Sequence, residues 1–221
     1  TDYIEREQER RGVEATYKVS RIGFRTQRLE DVVIGDPLRP DLTAQFVEIK
    51  IQWRLGGPKI GLVKGRGVRL FGRLVDEKIT FGEVDKLLPP PSGRPFTLPD
   101  LNVDVADTAI ALQTPSGVIA AAVEGKGNLA DGFRGELAIR SRALELGNCT
   151  LDSPIAYARV AINDREPTVD GPIRAERLVC PGNLALTNPV LDLEATVSET
   201  LNKWRGNAGI SVQRADLGVQ G

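Results

Sequence analysis

Apolar residues alternate with charged or polar residues along residues 47–55. Successive side chains of a β-strand point to opposite faces, so this pattern predicts a strand with one apolar and one polar face. The apolar positions are Val47, Ile49, Ile51, Trp53 and Leu55. The alternation returns further along the chain, where the apolar positions are Val68, Leu70, Leu101, Val103 and Val105.

Most of the chain follows this strand pattern, with short turns between the strands. Residues 114–117 and 130–132 have the composition of tight turns. Residues 13–221 are therefore predicted to form one mainly β unit, a long curled antiparallel sheet. Helices are too few for parallel crossovers, which supports an antiparallel meander.

Two segments depart from the strand pattern. Residues 1–12 are rich in helix-forming residues and end at Gly12, which predicts an N-terminal helix. A second, short helix is predicted at residues 81–88, where Pro89 stops it. It opens an insertion at residues 81–99, rich in proline towards its end, that could cover part of the sheet as a plug, lid or edge cover.

Composition excludes several classes of function. The chain has 221 residues, 29 basic and 30 acidic side chains and a net charge of −1, so it has no basic surface for nucleic acid. It contains no histidine, which removes the usual catalytic triads and the commonest metal ligand. We therefore expect no enzyme, no cofactor and no metal site.

Two weaker patterns resemble ligand sites but are also explained by ordinary strand structure. Asp100, Asp104 and Asp107 could form a calcium site or a carboxylate pair, but a solvated outer face of the sheet explains them better. The glycine-rich residues 64–67 and 125–128 lack the spacing of phosphate loops and fit a bulge or hairpin rim.

The chain has two cysteines, Cys149 and Cys180. A disulfide between them would close a loop of about 30 residues and would need an oxidising compartment. Two separate buried thiols are the alternative. An even cysteine count in a β-rich chain favours the disulfide.

The apolar face has two interpretations. It is either the packed core of a β-sandwich or a groove that stays open for an acyl chain, and periodicity alone favours the packed core. Aromatic residues make up only 5% of the chain, which is few for filling a large sandwich interior.

Several segments resemble one protein family in their order and spacing. They are residues 33–44 (VIGDPLRPDLTA), 67–74 (GVRLFGRL), 81–89 (FGEVDKLLP), 95–100 (PFTLPD) and 125–133 (GKGNLADGF). The chain resembles the N-terminal periplasmic portion of YdbH-type proteins of the AsmA-like superfamily, which are related to TamB and to bridge-like lipid transfer proteins. That family has no catalytic residues at defined positions.

The resemblance implies a segment of a periplasmic bridge that binds phospholipid acyl chains and conducts phospholipid between the inner and outer membranes. It implies an inner-membrane anchor upstream of Thr1 and an outer-membrane partner protein. The lipid groove would contain the ten apolar positions named above. The alternatives are a scaffold or assembly factor for outer-membrane proteins, and a closed β-sandwich binding module.

Overall fold

A computed structural model describes residues 12–23, 25–54, 57–76, 78–87 and 97–217. The first part of the chain forms seven strands: β1 (Ala15–Ile22), β2 (Thr26–Ile34), β3 (Leu42–Arg54), β4 (Gly57–Arg66), β5 (Arg69–Val75), β6 (Lys78–Thr80) and β7 (Asn102–Thr114). A 3-10 helix, Gly82–Leu87, lies between β6 and β7. The helix predicted at residues 81–88 is thus confirmed as a 3-10 helix, whereas residues 1–11 of the predicted N-terminal helix lie outside the described residues.

The second part of the described chain is a run of shorter and longer strands. They are β8 (Gly117–Asn128), β9 (Phe133–Ser141), β10 (Ala143–Leu146), β11 (Cys149–Asp152), β12 (Ile155–Asn163), β13 (Glu166–Arg174), β14 (Arg177–Cys180), β15 (Leu184–Thr187), β16 (Val190–Val197), β17 (Trp204–Ser211) and β18 (Arg214–Leu217). The turns predicted at residues 114–117 and 130–132 join β7 to β8 and β8 to β9, and both are confirmed.

Thirteen strands form one sheet, with the main order β1-β2-β3-β4-β7-β8-β9-β12-β13-β16-β17. Strand β5 pairs with β3, β6 and β7. The sheet is mixed, because β7 runs parallel to both β4 and β5. The expectation of a purely antiparallel sheet is therefore wrong at β7. The connection from β6, which ends at Thr80, to β7, which begins at Asn102, is long enough to act as a crossover.

Five strands of the large sheet continue, through one or two residues, into a second sheet of order β10-β11-β14-β15-β18. Backbone hydrogen bonds cross the junction, including Ser153 N to Arg142 O at 2.8 Å and Asn188 N to Glu176 O at 2.9 Å. The two sheets are therefore successive parts of the same bent hairpins. Cys149 and Cys180 lie in the second sheet and form a disulfide.

One cluster of buried apolar residues lies at the β1–β3 end of the large sheet. It consists of Val13, Leu29, Val32, Ile34 and Ala44. Val84 of the 3-10 helix packs against this cluster. The helix is held there by a hydrogen bond from Glu83 N to Asp41 Oδ2 of 2.9 Å, so the 81–99 insertion begins as a cover over this end of the sheet.

Candidate functional site

Strand register aligns apolar side chains into one continuous row across the large sheet. In antiparallel and parallel pairs alike, residues directly opposite each other lie on the same face. Starting at Ala15 of β1, each residue of the row is paired with the next: Ala15, Ile34, Leu42, Leu70, Ile110, Ala121, Ile139, Ala156, Ile173, Leu191 and Ile210. This long row contains no polar or charged residue over eleven strands.

A second row on the same face runs nearly parallel to the long row. It contains Leu29, Val47, Gly65, Val105, Gly125, Gly135, Val160, Val169, Ala195 and Gly206. Phe133 lies on this face and fills the space above its central glycines. A methyl group on Gly125 would lie 2.5 Å from Phe133 Cζ, so the side chain of alanine would collide with the ring. We call the face that carries both rows the apolar face.

The opposite face carries a row of very different composition, and we call it the polar face. Its paired residues are Arg28, Glu48, Lys64, Asp104, Lys126, Arg134, Ala161, Thr168, Thr196 and Arg205. From β8 to β17 alternation alone separates apolar from charged side chains. On β2 and β7 the alternation shifts by one residue near Asp31 and Asp107, which adopt positive φ, so both rows stay on one face. This is the arrangement of a sheet with water on one side.

Ion pairs organise the charges of the polar face. Arg66 donates to Asp104 Oδ1 at 2.6 Å and to the Asp104 carbonyl at 2.9 Å. That hydrogen bond, with help from Lys64, holds the pKa of Asp104 below its ordinary value. Arg69 makes the same pair of contacts with Asp107, at 2.8 Å and 2.6 Å. The two arginines thus tie β4 and β5 to β7 where the parallel pairing changes from one strand to the other.

Asp100, Asp104 and Asp107 do not share a site. Asp100 accepts a hydrogen bond from Asn128 at 2.8 Å, while the other two carboxylates are paired with different arginines. No group of three or more metal-ligating side chains occurs among the described residues. The prediction that these carboxylates belong to a solvated outer face of the sheet agrees with this arrangement.

Among the described residues, the apolar face is shielded at one end and exposed at the other. Among the residues that the structure describes, no large side chain is fully buried, as the core of a closed sandwich would require. The 3-10 helix covers the β1–β3 end, and Phe81 packs directly on Gly72 of β5. At the other end, on β17, Trp204 is 74% exposed and Ile210 is 67% exposed.

A protein-family model described as "YdbH-like: Intermembrane phospholipid transport protein YdbH" matches residues 2–217. The chain belongs to the YdbH-like family. The resemblance seen in the sequence is thereby confirmed, and membership implies intermembrane phospholipid transport. Neither the curated proteins nor the solved structures include a significant match to the chain.

The structure places five of the ten predicted groove residues of this YdbH-like chain on strands β3, β5 and β7 of the apolar face. Val47 and Ile49 of β3 lie opposite Gly65 and Val63 of β4, and these lie opposite Val105 and Val103 of β7. Leu70 belongs to the long row.

The remaining predicted groove positions have separate locations. Ile51 lies opposite Ile60 near the end of β3. Val68 lies between β4 and β5 and packs against the buried cluster. Leu101 directly precedes β7, Trp53 lies in β3, and Leu55 lies outside the described residues.

The sequence pattern was used to predict groove residues only up to Val105, so the C-terminal half of the apolar face was not included. The structure adds Ile139, Ile173 and Leu191 of the long row, together with Leu137 and Leu193. The signal that could have found them is the same alternation, because residues 135–142 and 190–197 each carry apolar residues at every second position. No helix in the described part of the chain is long and apolar enough to cross a membrane.

Proposed function

We propose that the apolar face binds the acyl chains of phospholipids, and that the chain forms a segment of a periplasmic conduit between the inner and outer membranes. The single observation that carries this proposal is the long row, which offers an uninterrupted apolar surface from β1 to β17. Family membership supplies the class of cargo.

The dimensions of the sheet suit movement along the long row. Eleven strands at about 4.8 Å spacing extend roughly 48 Å. One leaflet of a bilayer core is about 15 Å thick, so an extended acyl chain would cover about three strands. Each methylene taken out of water contributes about 0.8 kcal/mol. Since every strand presents an aliphatic residue to the row, neighbouring positions bind a chain with similar strength, and no strand becomes a deep trap.

In this proposal the sheet curls about its apolar face, while headgroups stay in water at the groove mouth. Two observations support an open groove over a packed core. Apart from Phe133 and Ile162, which are buried, the large side chains of the apolar face are only part-buried across the middle of the sheet, and the polar face carries most of the charge. Among the described residues, the cover formed by the 3-10 helix leaves the surface from β7 onwards for lipid. The Cys149–Cys180 disulfide supports a periplasmic location.

Lipid bound to the purified chain tests the proposed function. We expect organic extracts of the folded, detergent-free protein to contain phospholipid in near-stoichiometric amount by mass spectrometry. A water-soluble β protein of similar size, purified in the same way from the same cells, is the control. A well-folded sample with no more phospholipid than this control would contradict the proposal.

A second candidate function is a scaffold that templates strands of outer-membrane proteins. It is favoured by β17, an edge strand of the described sheet whose residues are all exposed. A scaffold of this kind has no need of bound phospholipid. The same extraction therefore separates the two functions.

A further inference from the structure

The polar face carries one apolar patch of its own. Four large side chains on it are about half exposed: Phe71 45%, Tyr157 48%, Ile155 52% and Val118 58%. Between them lie two adjoining paired sets on the same face, Ala109-Ala122-Ala138 and Ala111-Ala120. Exposed apolar patches on a soluble surface commonly mark interaction sites.

The patch surrounds a shallow trough of about 470 Å³. One wall follows Ala109, Ala122 and Ala138, and the other follows Phe71, Ala111, Ala120 and Arg140. The walls are two residues apart along each strand, which corresponds to about 7 Å. The trough crosses β5, β7, β8, β9 and β12, and four strand spacings give a length of about 19 Å.

The Arg140 side of the trough is positively charged, whereas Glu136, which accepts a hydrogen bond from Tyr157, lies on the other side. Arg140 lines the trough, is exposed, and has no ion pair or hydrogen bond in the described part of the chain. Arg142 and Arg73 line two adjoining depressions that share Ala120 and Ala111 with the trough, and they are equally unpaired among the described residues. Arg69 is neutralised by Asp107. An anionic group is therefore the complementary one at the Arg140 side.

The dimensions discriminate between the ligands that could lie in this trough. An α-helix, about 10–12 Å in diameter, is too wide to lie between walls whose residues are only about 7 Å apart along each strand. An extended peptide is narrower, but the floor is the face of a sheet and offers its backbone no hydrogen-bond partners. An acyl chain needs none. A lipid with two chains would leave the second chain in water, so a single-chain lipid fits best.

We propose that this trough on the polar face is a separate lipid site that binds a fatty acid, with the acyl chain along the alanine walls and the carboxylate at Arg140. A guanidinium binds a carboxylate through two parallel hydrogen bonds, which gives the site its preference for an anion. The site is on the opposite face from the long row, so it does not depend on the proposed conduit.

Photolabelling with palmitate that carries a diazirine near its methyl end tests this site. We expect labelled peptides to contain Phe71, because Phe71 lies on β5, at the end of the trough away from Arg140 of β9. Arg140→Gln should weaken labelling about fivefold, as expected for loss of one partly exposed charge-assisted contact. The double variant Ala120→Leu/Ala122→Leu should abolish trough labelling by filling the trough, with far-UV circular dichroism confirming the fold.

Two controls sharpen the result. Arg159→Gln removes an exposed arginine of the same face outside the trough, and we expect labelling to stay unchanged. The corresponding diazirine alcohol lacks the charge, so it should bind weakly and without regard to Arg140. Labels confined to the apolar face, or labelling insensitive to both Arg140→Gln and the double variant, would overturn the fatty-acid site. Neither outcome would count against phospholipid on the long row.

Discussion

Ile49→Asp is expected to reduce the phospholipid that co-purifies with the chain by about tenfold or more. Ile49 is part-buried on the apolar face, where it lies opposite Val63. A carboxylate there would either face an acyl chain without a partner or draw water into the groove. Both are costly, and a loss of 1.4 kcal/mol in binding already corresponds to a factor of ten. Phosphate analysis of the extracted lipid gives the ratio of lipid to protein directly.

The matched control for Ile49→Asp is Gln52→Asp. Gln52 is exposed, lies on the same strand and points to the polar face. The Gln52→Asp variant receives the same carboxylate at nearly the same place in the sequence but on the polar face, so it should retain its lipid. Equal lipid loss in both variants would indicate a general effect of charge or stability and would count against binding on the apolar face. Ile51→Asp offers a second apolar-face position with the same expectation.

Cys149→Ser/Cys180→Ser is expected to lower the free energy of unfolding by up to about 3.7 kcal/mol, from the chain-entropy model for a sequence separation of 31. The bridge joins the adjacent strands β11 and β14 in the five-stranded sheet, in which no large side chain is fully buried among the described residues. That sheet has little packed core of its own, so the crosslink is a large part of what holds it.

Urea denaturation followed by circular dichroism measures this loss. The double variant should unfold at lower urea than the oxidised chain, and reduced wild type should resemble the variant. An unchanged urea midpoint in the variant would contradict this prediction, because it would show that the disulfide does not restrict the unfolded chain. A variant that loses stability yet keeps its phospholipid would place the lipid on the larger sheet alone.

Alternation was enough to predict the strands and the two faces, because side-chain direction in a strand depends only on local geometry. Val47, Ile49, Val103 and Val105 were therefore predicted as apolar-face positions from the sequence, and their pairing places them on one face. The long row could not be predicted from the sequence, because it depends on the register of ten strand pairs. Register is fixed by bulges and turns that a single strand does not reveal.

The parallel position of β7 could not be read from the chain. The sequence offered too few helices for a crossover, yet the connection from β6 to β7, which includes a 3-10 helix, provides one. The contacts of Arg66 and Arg69 could not be predicted from the sequence either. The two arginines contact the bulge region at Asp104 and Asp107, 38 residues away in each case, and nothing local connects these pairs.

The bend between the two sheets was also missed. It comes from short interruptions such as Ser153–Pro154 and Asn188–Pro189, where Ser153 and Asn188 adopt positive φ of 48° and 49°. In the sequence these look like ordinary hairpin turns, because the same residue types serve both purposes. The alanine trough could not be predicted for a related reason. Alanines at polar-face positions of single strands show no recognisable sequence pattern, and only strand pairing brings them side by side.

A photocrosslinking scan along β16 tests the central claim most directly. The photoreactive amino acid p-benzoylphenylalanine would replace one residue at a time from Leu191 to Thr196, and bound phospholipid would be detected after irradiation. Leu191, Leu193 and Ala195 lie on the apolar face, whereas Asp192, Glu194 and Thr196 lie on the polar face. Lipid on the apolar face predicts crosslinks at every second position, beginning at Leu191. Crosslinks at all six positions, or at none in a folded and lipid-bearing sample, would contradict it.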